Sequence, residues 1–373
     1  MSGMKDLIEA LFVVLIIVAA VQLCIYWFIY RRLAFYGQKK NRNDIQPVSV
    51  IVCARNESIM LRENLSAVLE QDYPSFEVIV VDDCSWDETG IVLEEFSKKY
   101  PNLKIVTIKE QEKYRHGKKF ALTLGIKAAS NEILLLTDAD CKPESVSWLM
   151  EMQQSFSTEK DIVLGYGPYK KEQGFLNKLI RFDSFMIAIN YLSASLGGNT
   201  YMGVGRNLAY KKSLFFRNKG FAKHNHILSG DDDLFINENS TPKNTAICID
   251  NGSFTYSEPK KTFSEWLKQK KRHMSTAKHY KGSHQLSLIL KNGITFIFYT
   301  LIIILSVLHF EWRILLSLYM AVLLAKFPII YRISHKLKEK DLAWTFPLLD
   351  IIYTFLQPVF FTANLLTKQK SWK

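Results

Sequence analysis

A pair of aspartates separated by one residue is the feature of this sequence that points most directly to chemistry. Asp138 and Asp140 follow the apolar run ILLLT at residues 133–137. Two carboxylates on a tight turn can share one Mg²⁺ or Mn²⁺, because both ions prefer hard oxygen ligands. A metal held there would neutralise charge on a departing diphosphate. A lone triplet of this kind is more often a solvated turn or a helix cap. The position of Asp138 and Asp140 in the fold therefore has to decide between a metal site and these alternatives.

Other polar side chains also stand directly after apolar runs. After the run at residues 48–52 come Ala54, Arg55, Asn56 and Glu57. After the run at residues 76–81 come Asp82 and Asp83. Acids at the ends of several successive apolar runs favour a ligand site over a set of isolated solvated turns.

A third acidic group lies further along the chain, where Asp231, Asp232 and Asp233 stand between Gly230 and an apolar run. Three adjacent acids are otherwise typical of a solvated helix start. One carboxylate of such a group could act as a general base on an acceptor hydroxyl. Its neighbours would raise its pKa by like-charge repulsion, which suits a proton acceptor.

The elements that must position these side chains alternate between strands and helices. Apolar, β-branched runs predict strands at residues 48–52, 76–81, 103–108 and 133–137. Helical spacing predicts the helices between them. This alternation implies an α/β fold with a parallel sheet, whose ligands bind beyond the carboxyl ends of the strands. The sequence has neither Gly-x-Gly-x-x-Gly after the first run nor a P-loop motif, which disfavours those two nucleotide sites.

The composition indicates a membrane protein with a soluble middle. The 373 residues carry a formal net charge of +12, and the 48% that are hydrophobic are concentrated toward both ends. Residues 7–30 are predicted to form a transmembrane helix, because most of this segment is uncharged over the length needed to cross a bilayer. Arg31 and Arg32 follow it directly, whereas Lys5 alone precedes it. The positive-inside rule then places the catalytic domain on the cytoplasmic side of a plasma or inner membrane.

Further apolar segments lie near the C-terminus. Residues 293–331 predict two transmembrane helices, and residues 348–366 predict either another span or a re-entrant segment. Between the apolar ends, residues 47–280 are long enough for a catalytic domain. Within it, residues 260–273 predict a basic helix at the membrane interface, with Phe263 and Trp266 on its apolar face. Five cysteines without Cys-x-x-Cys spacing predict free thiols.

The motifs occur in a characteristic order. The segments are VSVIVCARNE, FEVIVVDDCSWDET, HGKKFALTLGIKAA, EILLLTDADCKP, SGDDDLF and QKKRH. Together they resemble the nucleotide-sugar glycosyltransferase family 2, and in particular its membrane-bound members related to polysaccharide synthases and ceramide glucosyltransferase. The resemblance covers about residues 47–273. It implies a GT-A fold, a Rossmann-like and mostly parallel sheet with flanking helices, between N- and C-terminal transmembrane helices.

The resemblance also implies roles for individual residues. Donor-binding roles are implied for Ala54, Arg55, Asn56, Glu57, Asp82, Asp83, Lys118, Asp138, Gln269 and Arg272. Asp138 and Asp140 would hold a divalent metal, Mn²⁺ or Mg²⁺. Asp232 would be the catalytic base, with Asp231 and Asp233 as the alternatives. His273 stands where the family usually has tryptophan, which is a departure on the acceptor side.

The function expected on this basis is that of a membrane-bound inverting glycosyltransferase. It would move a sugar from a UDP-sugar to a lipid or glycan acceptor in the synthesis of cell-envelope glycans or glycolipids. Its predicted partners are the nucleotide-sugar donor, that acceptor and membrane lipids, and no nucleic acid. One alternative is a processive polysaccharide synthase. Another is a non-catalytic membrane scaffold with a basic lipid-binding face, which would explain the charge but not the acids at successive run ends.

Overall fold

The computed structural model describes residues 2–38, 45–109, 117–227 and 229–366. The chain divides into two compact units. One comprises Met1–Tyr36 and Lys281–Leu366, and the other comprises Gly37–Tyr280.

The secondary structure alternates strands and helices through the middle of the chain and is helical at both ends. The helices are α1 Ser2–Cys24, which continues through a π-helical turn Ile25–Tyr30 into α2 Arg31–Ala34, α3 Ser58–Leu69, α4 Thr89–Lys99, α5 Lys118–Ala128, α6 Trp148–Gln153, α7 Phe175–Leu196, α8 Lys212–Arg217, α9 Asp233–Asn239, α10 Phe263–Ala277, α11 Gly282–Val307, α12 Trp312–Lys336 and α13 Lys340–Leu366. The strands are β1 Val48–Ala54, β2 Phe76–Asp83, β3 Leu103–Ile108, β4 Ile133–Asp138, β5 Cys141–Pro143, β6 Ile162–Leu164, β7 Leu208–Lys211, β8 Thr245–Ile247 and β9 Thr255–Ser257. Short 3₁₀ turns lie at Gly205–Asn207 and Ala222–His224.

Within the described residues, seven strands form one sheet in the order β3-β2-β1-β4-β7-β6-β8. The pairs β3–β2, β2–β1 and β1–β4 are parallel, and β7 joins β4 in the antiparallel direction. The predicted α/β fold with a mostly parallel sheet is therefore confirmed. In register, Ala54 pairs with Asp82 and Cys53 pairs with Asp138. The carboxyl ends of the three central strands thus lie at one level of the sheet.

Helices cover both faces of this sheet, which explains why its strands are continuously apolar. On one face, side chains of α3, α4 and α6 pack with Val50 and Val78 in one buried core. On the other face α5 lies close to the strands. A Cβ added to Gly125 would stand 2.7 Å from the Ile51 side chain, so only glycine permits this approach.

Three central strands are one or two residues longer than the apolar runs predicted. Ala54, Asp82, Asp83 and Asp138 consequently lie on the last positions of their strands and not in the loops beyond them. Strand hydrogen bonding holds the backbone of each of these residues in place.

The other unit consists of long apolar helices. Among the described residues, four helices are long and apolar enough to cross a membrane by length and composition: Gly3–Ala34, Gly282–Val307, Trp312–Lys336 and Lys340–Ala363. The last remains one helix through Pro347 and Pro358. The charged side chains buried in the described part of this unit include Lys326, against the rings of Tyr26 and Phe298, and Asp350, which accepts from the Tyr299 hydroxyl at 2.7 Å.

Candidate active site

A lysine joins two of the predicted acidic groups. Lys118 is the first residue of α5, and its Nζ lies 2.9 Å from Asp138 and 3.0 Å from Asp231. Burial alone would raise the pKa of Asp138, but the positive charges of Lys118, Arg206 and Arg272 lower it below the usual value. Lys118 therefore ties the end of β4 to the acidic segment that begins α9.

The three acids of that segment occupy three different environments. Asp231 is buried and paired with Lys118, while Asp233 is buried and accepts hydrogen bonds from the hydroxyls of Thr276 and Tyr280. Asp232 is only half-buried and caps α9 by accepting from the Asp233 backbone N–H at 2.7 Å. The structure thus gives Asp231 and Asp233 internal partners and leaves Asp232 as the accessible carboxylate of the three.

The environment of Asp232 favours its protonated form. Burial, and then the charges of Asp231 and Asp233, raise the pKa of Asp232 to about 7. The Lys118 ammonium and a hydrogen bond from the Gly205 backbone N–H, at 2.7 Å, limit this rise. A carboxylate with such a pKa is suited to take up a proton near neutral pH.

Two glycines allow this arrangement. Gly230 has φ +95, and a Cβ there would lie 2.4 Å from the Leu234 side chain, so the turn before the acids requires glycine. A Cβ on Gly205 would lie 3.3 Å from Asp232 Oδ2 and 3.5 Å from Lys118 Nζ. The glycine-rich segment at residues 203–207 therefore brings its backbone close to the acids.

These groups line one pocket. Its lining residues are Ile51, Cys53, Lys118, Leu122, Leu136, Thr137, Asp138, Gly205, Asp231 and Asp232. Residues predicted separately as donor-binding and as catalytic are thus brought together, although they lie up to about 115 positions apart in the chain.

The loops after β1 and β2 also meet. Asn56 has φ +54 and accepts from the Trp86 backbone N–H at 3.0 Å, while its own N–H donates to Ser85 Oγ at 2.9 Å. Asp82 in turn accepts from the Ser85 N–H at 3.2 Å. Arg55, Asn56 and Glu57 are half-buried, whereas Asp83 is completely buried, which favours a structural role for Asp83.

The last two predicted donor-binding residues, Gln269 and Arg272, are half-buried on α10. A capping box between Thr262 and Glu265 begins this helix. Of the two residues named on its predicted apolar face, Trp266 is buried whereas Phe263 is exposed. Lys270 is also buried and pairs with Asp183 at 2.7 Å. Sequence patterning could not distinguish these inward-facing side chains from interfacial ones.

Asp138 and Asp140 fit a hard divalent cation. Ligand atoms of Asp138, Asp140 and Cys141 lie within 4.8 Å of one another. Burial and the charge of Asp138 raise the pKa of Asp140. Burial also raises the pKa of the Cys141 thiol, which lies 3.0 Å from Ser257 Oγ. Because Mg²⁺ and Mn²⁺ prefer hard oxygen ligands, the two carboxylates are better candidate ligands than the thiol.

One residue at the site received no role from the sequence. Arg206 lies between Gly205 and the buried Asn207, and its guanidinium carbon stands 4.3 Å from the ring centroid of Tyr169. The glycine-rich segment around it was the only signal in the sequence, and Tyr169 is 37 positions away.

Comparison with known proteins places this site in a family. Residues 49–217 match the family model described as glycosyl transferase family 2. Glycosyltransferase AglE of Haloferax volcanii is 33% identical over 192 residues, 50% of this chain and 58% of that protein. Poly-beta-1,6-N-acetyl-D-glucosamine synthase of Staphylococcus epidermidis is 33% identical over 119 residues, 31% of this chain and 28% of that protein. The chain thus spans less than two thirds of the length of either relative.

A solved structure extends the likeness to nearly the whole chain. Mannosyltransferase PcManGT from Pyrobaculum calidifontis, in complex with GDP-Man and Mn²⁺, superposes with a TM-score of 0.58 at 18% identity. The match covers 94% of this chain and 99% of that one. At this identity the likeness concerns the fold. The family-model match thus shows that residues 49–217 form a glycosyltransferase family 2 region, and this structural likeness shows the GT-A fold.

Proposed function

We propose that this protein is a membrane-bound inverting glycosyltransferase that moves a sugar from a UDP-sugar to a lipid or glycan acceptor. The reaction would be a step in the synthesis of cell-envelope glycans or glycolipids. One observation carries the proposal: Lys118 joins Asp138 at the end of β4 to Asp231 beside Asp232, around one pocket. A donor held at the strand end would then face a carboxylate able to accept a proton.

The donor would bind along the carboxyl ends of β1, β2 and β4. The family resemblance assigns the uridine to Ala54, Arg55, Asn56, Glu57, Asp82 and Asp83. The loops after β1 and β2, which carry or follow these residues, meet in this structure. Gln269 and Arg272 are assigned to the diphosphate. The charge of Arg272 acts on Asp138, which supports a position near the diphosphate end of the site.

Asp138 and Asp140 would hold Mn²⁺ or Mg²⁺. When bound, the metal supplies Lewis-acid stabilisation of the charge on the departing diphosphate. Lys118 keeps Asp138 ionised and in place, because its ammonium lies within 3.0 Å of Asp138 and of Asp231.

Asp232 is the proposed base. It would take the proton from the acceptor hydroxyl as that oxygen attacks the anomeric carbon from the face opposite the leaving diphosphate. A single displacement of this kind inverts the anomeric configuration. The backbone N–H groups of Gly205 and Asp233 both donate to the Asp232 carboxylate and hold it in one orientation.

The four candidate membrane helices support an acceptor that resides in or near a membrane. Basic residues after the first of them support a cytoplasmic catalytic unit. Similarity to the Staphylococcus epidermidis synthase favours processive polysaccharide synthesis as a second candidate. The two candidates differ in product length, which mass spectrometry of the product measures directly.

The test uses the full chain purified in detergent and a panel of UDP- and GDP-sugars with Mn²⁺ or EDTA. We expect one UDP-sugar to release UDP, faster in the presence of membrane lipids and only with the metal. Wild-type protein that binds no nucleotide sugar with Mn²⁺ present would refute the function. Binding of GDP but not UDP would overturn the uridine assignment alone.

A further inference from the structure

Arg206 is held rigidly at the edge of the candidate active site. Its backbone carbonyl accepts hydrogen bonds from Thr137 Oγ1 at 3.0 Å and from Thr255 Oγ1 at 2.8 Å. Its guanidinium stacks on the buried ring of Tyr169 at 4.3 Å. Backbone and side chain are therefore fixed together, so the plane of the guanidinium is set before any ligand binds.

Most donors of this guanidinium are unused. Among the described residues, its one hydrogen-bond acceptor is Ser257 Oγ, 3.4 Å from Nη1, and no carboxylate lies within 4.0 Å as an ion-pair partner. A guanidinium has five N–H donors in a planar fork. The remaining N–H donors of this half-buried side chain are therefore available to a ligand.

The surroundings of Arg206 indicate what that ligand is. Its neighbour Gly205 donates to Asp232, the proposed base. Its carbonyl is hydrogen-bonded to Thr137, the residue before Asp138, and its guanidinium donates to Ser257, which also contacts Cys141, the residue after Asp140. Arg206 thus lies between the proposed base and the proposed metal ligands, where the bond between sugar and diphosphate would be broken.

We propose that Arg206 is a donor-binding residue whose guanidinium donates two parallel hydrogen bonds to a pair of anionic oxygens of the donor. This inference rests on the proposed function. Two groups of a nucleotide-sugar donor present such a pair. One is the phosphoryl group next to the sugar, and the other is a carboxylate on the transferred sugar, as in a uronic acid. Bidentate contact with either would fix the donor relative to Asp232.

The variants are Arg206→Lys, Arg206→Gln and Tyr169→Leu, with Tyr169→Phe as the conservative control. Lysine keeps the charge but loses both the fork and the stacking geometry. Tyr169→Leu keeps Arg206 but removes the ring that orients it, whereas Tyr169→Phe retains the ring. Arg217→Met, at an exposed arginine that pairs with Asp161, controls for loss of a positive charge elsewhere in the same unit. Thermal unfolding of each variant confirms that it folds.

The first arm measures binding of UDP and UMP with Mn²⁺ by calorimetry. If the partner is the phosphoryl group, Arg206→Lys and Arg206→Gln lose affinity for UDP by about 10- to 100-fold while affinity for UMP is unchanged. The second arm measures nucleotide release from UDP-glucose and UDP-glucuronate. If the partner is the sugar carboxylate, UDP affinity is unchanged and kcat/KM falls for UDP-glucuronate alone.

Each remaining outcome counts against the inference. Equal losses for UDP and UMP would show that Arg206 merely supports the fold of the site. Unchanged affinity for UDP together with unchanged turnover of both sugars would overturn the role of Arg206 while leaving the proposed function intact. Wild-type protein that binds neither UDP nor GDP would overturn the proposed function, and this inference with it.

Discussion

Replacing Asp232 with asparagine separates catalysis from stability at the proposed base. Asparagine has the shape of a protonated aspartate, with one acceptor and one donor group, but it cannot take up a proton. We expect Asp232→Asn to keep donor binding and to lose turnover by about 10²-fold or more, the usual scale for a positioned base. We also expect the variant to be more stable than the wild type at pH 8.

The size of that gain follows from the pKa of Asp232. Burial and the neighbouring acids raise it from 3.8 to about 7, a difference of roughly three pKa units. At 1.36 kcal/mol for each unit, ionised Asp232 costs the folded state on the order of 4 kcal/mol at pH 8. Asparagine removes this cost, which corresponds to a rise in Tm on the order of 10 °C for a unit of this size.

The pH dependence has a defined sign. Between pH 4 and 7 the unfolded chain carries ionised Asp232 while the folded protein retains its proton, so wild-type stability falls as the pH rises through this range. The stability difference between Asp232→Asn and wild type should therefore be greatest at pH 8. It should fall to about zero near pH 4. Thermal unfolding in detergent from pH 4 to 8 measures it.

Asp231→Asn is the matched comparison, because Asp231 is buried and paired with the Lys118 ammonium, so this change should lower stability and not raise it. If Asp232→Asn is no more stable than wild type at pH 8, Asp232 is not a raised-pKa group. If instead Asp232→Asn turns over normally, Asp232 is not the base.

Four further changes test the remaining parts of the site. Asp140→Ala should abolish the Mn²⁺ dependence of UDP binding, since Asp138 alone offers too few hard oxygens; calorimetry with and without Mn²⁺ would contradict the metal assignment if affinity were unchanged. Lys118→Met leaves two carboxylates without their shared cation and should lower the free energy of unfolding by about 3–5 kcal/mol, measured in urea; a smaller loss would mean that the bridge is dispensable. Gly205→Ala places a Cβ 3.3 Å from Asp232 Oδ2 and should lower kcat by up to about 10²-fold at constant UDP affinity, while equal rates would show that Asp232 tolerates displacement. Tyr280→Phe removes one hydrogen-bond donor to Asp233 and should lower the free energy of unfolding by about 1–3 kcal/mol in the same urea titration. An unchanged free energy of unfolding would show that water replaces the hydroxyl.

Local pattern was sufficient to predict the sheet and the edge at which the site lies. A strand buried on both faces must be continuously apolar, and a parallel neighbour requires an intervening helix, so the alternation of runs predicts β1 to β4 as parallel strands. The order of these strands and the antiparallel addition of β7 were not predicted. Because parallel strands end at one edge, the acids at the ends of β2 and β4 had to lie at the same edge of the sheet. The apolar helices are equally local, since a span is defined by its own length and composition.

The roles of the individual acids depended on contacts that no local pattern contains. Asp231, Asp232 and Asp233 are identical in type and adjacent in the chain. They differ because Lys118 reaches the first, Gly205 donates to the second, and Tyr280 donates to the third from 47 residues away.

For the same reason, the surroundings of Arg206 and Trp266 could not be predicted from the sequence. Stacking of Arg206 on Tyr169 and burial of Trp266 arise only when distant elements pack together. An amphipathic helix has the same periodicity whether it covers a protein core or a membrane surface. The sequence by itself therefore determined the fold and the edge of the sheet that carries the site, whereas only the tertiary structure decided which acid is accessible and which cation stands beside it.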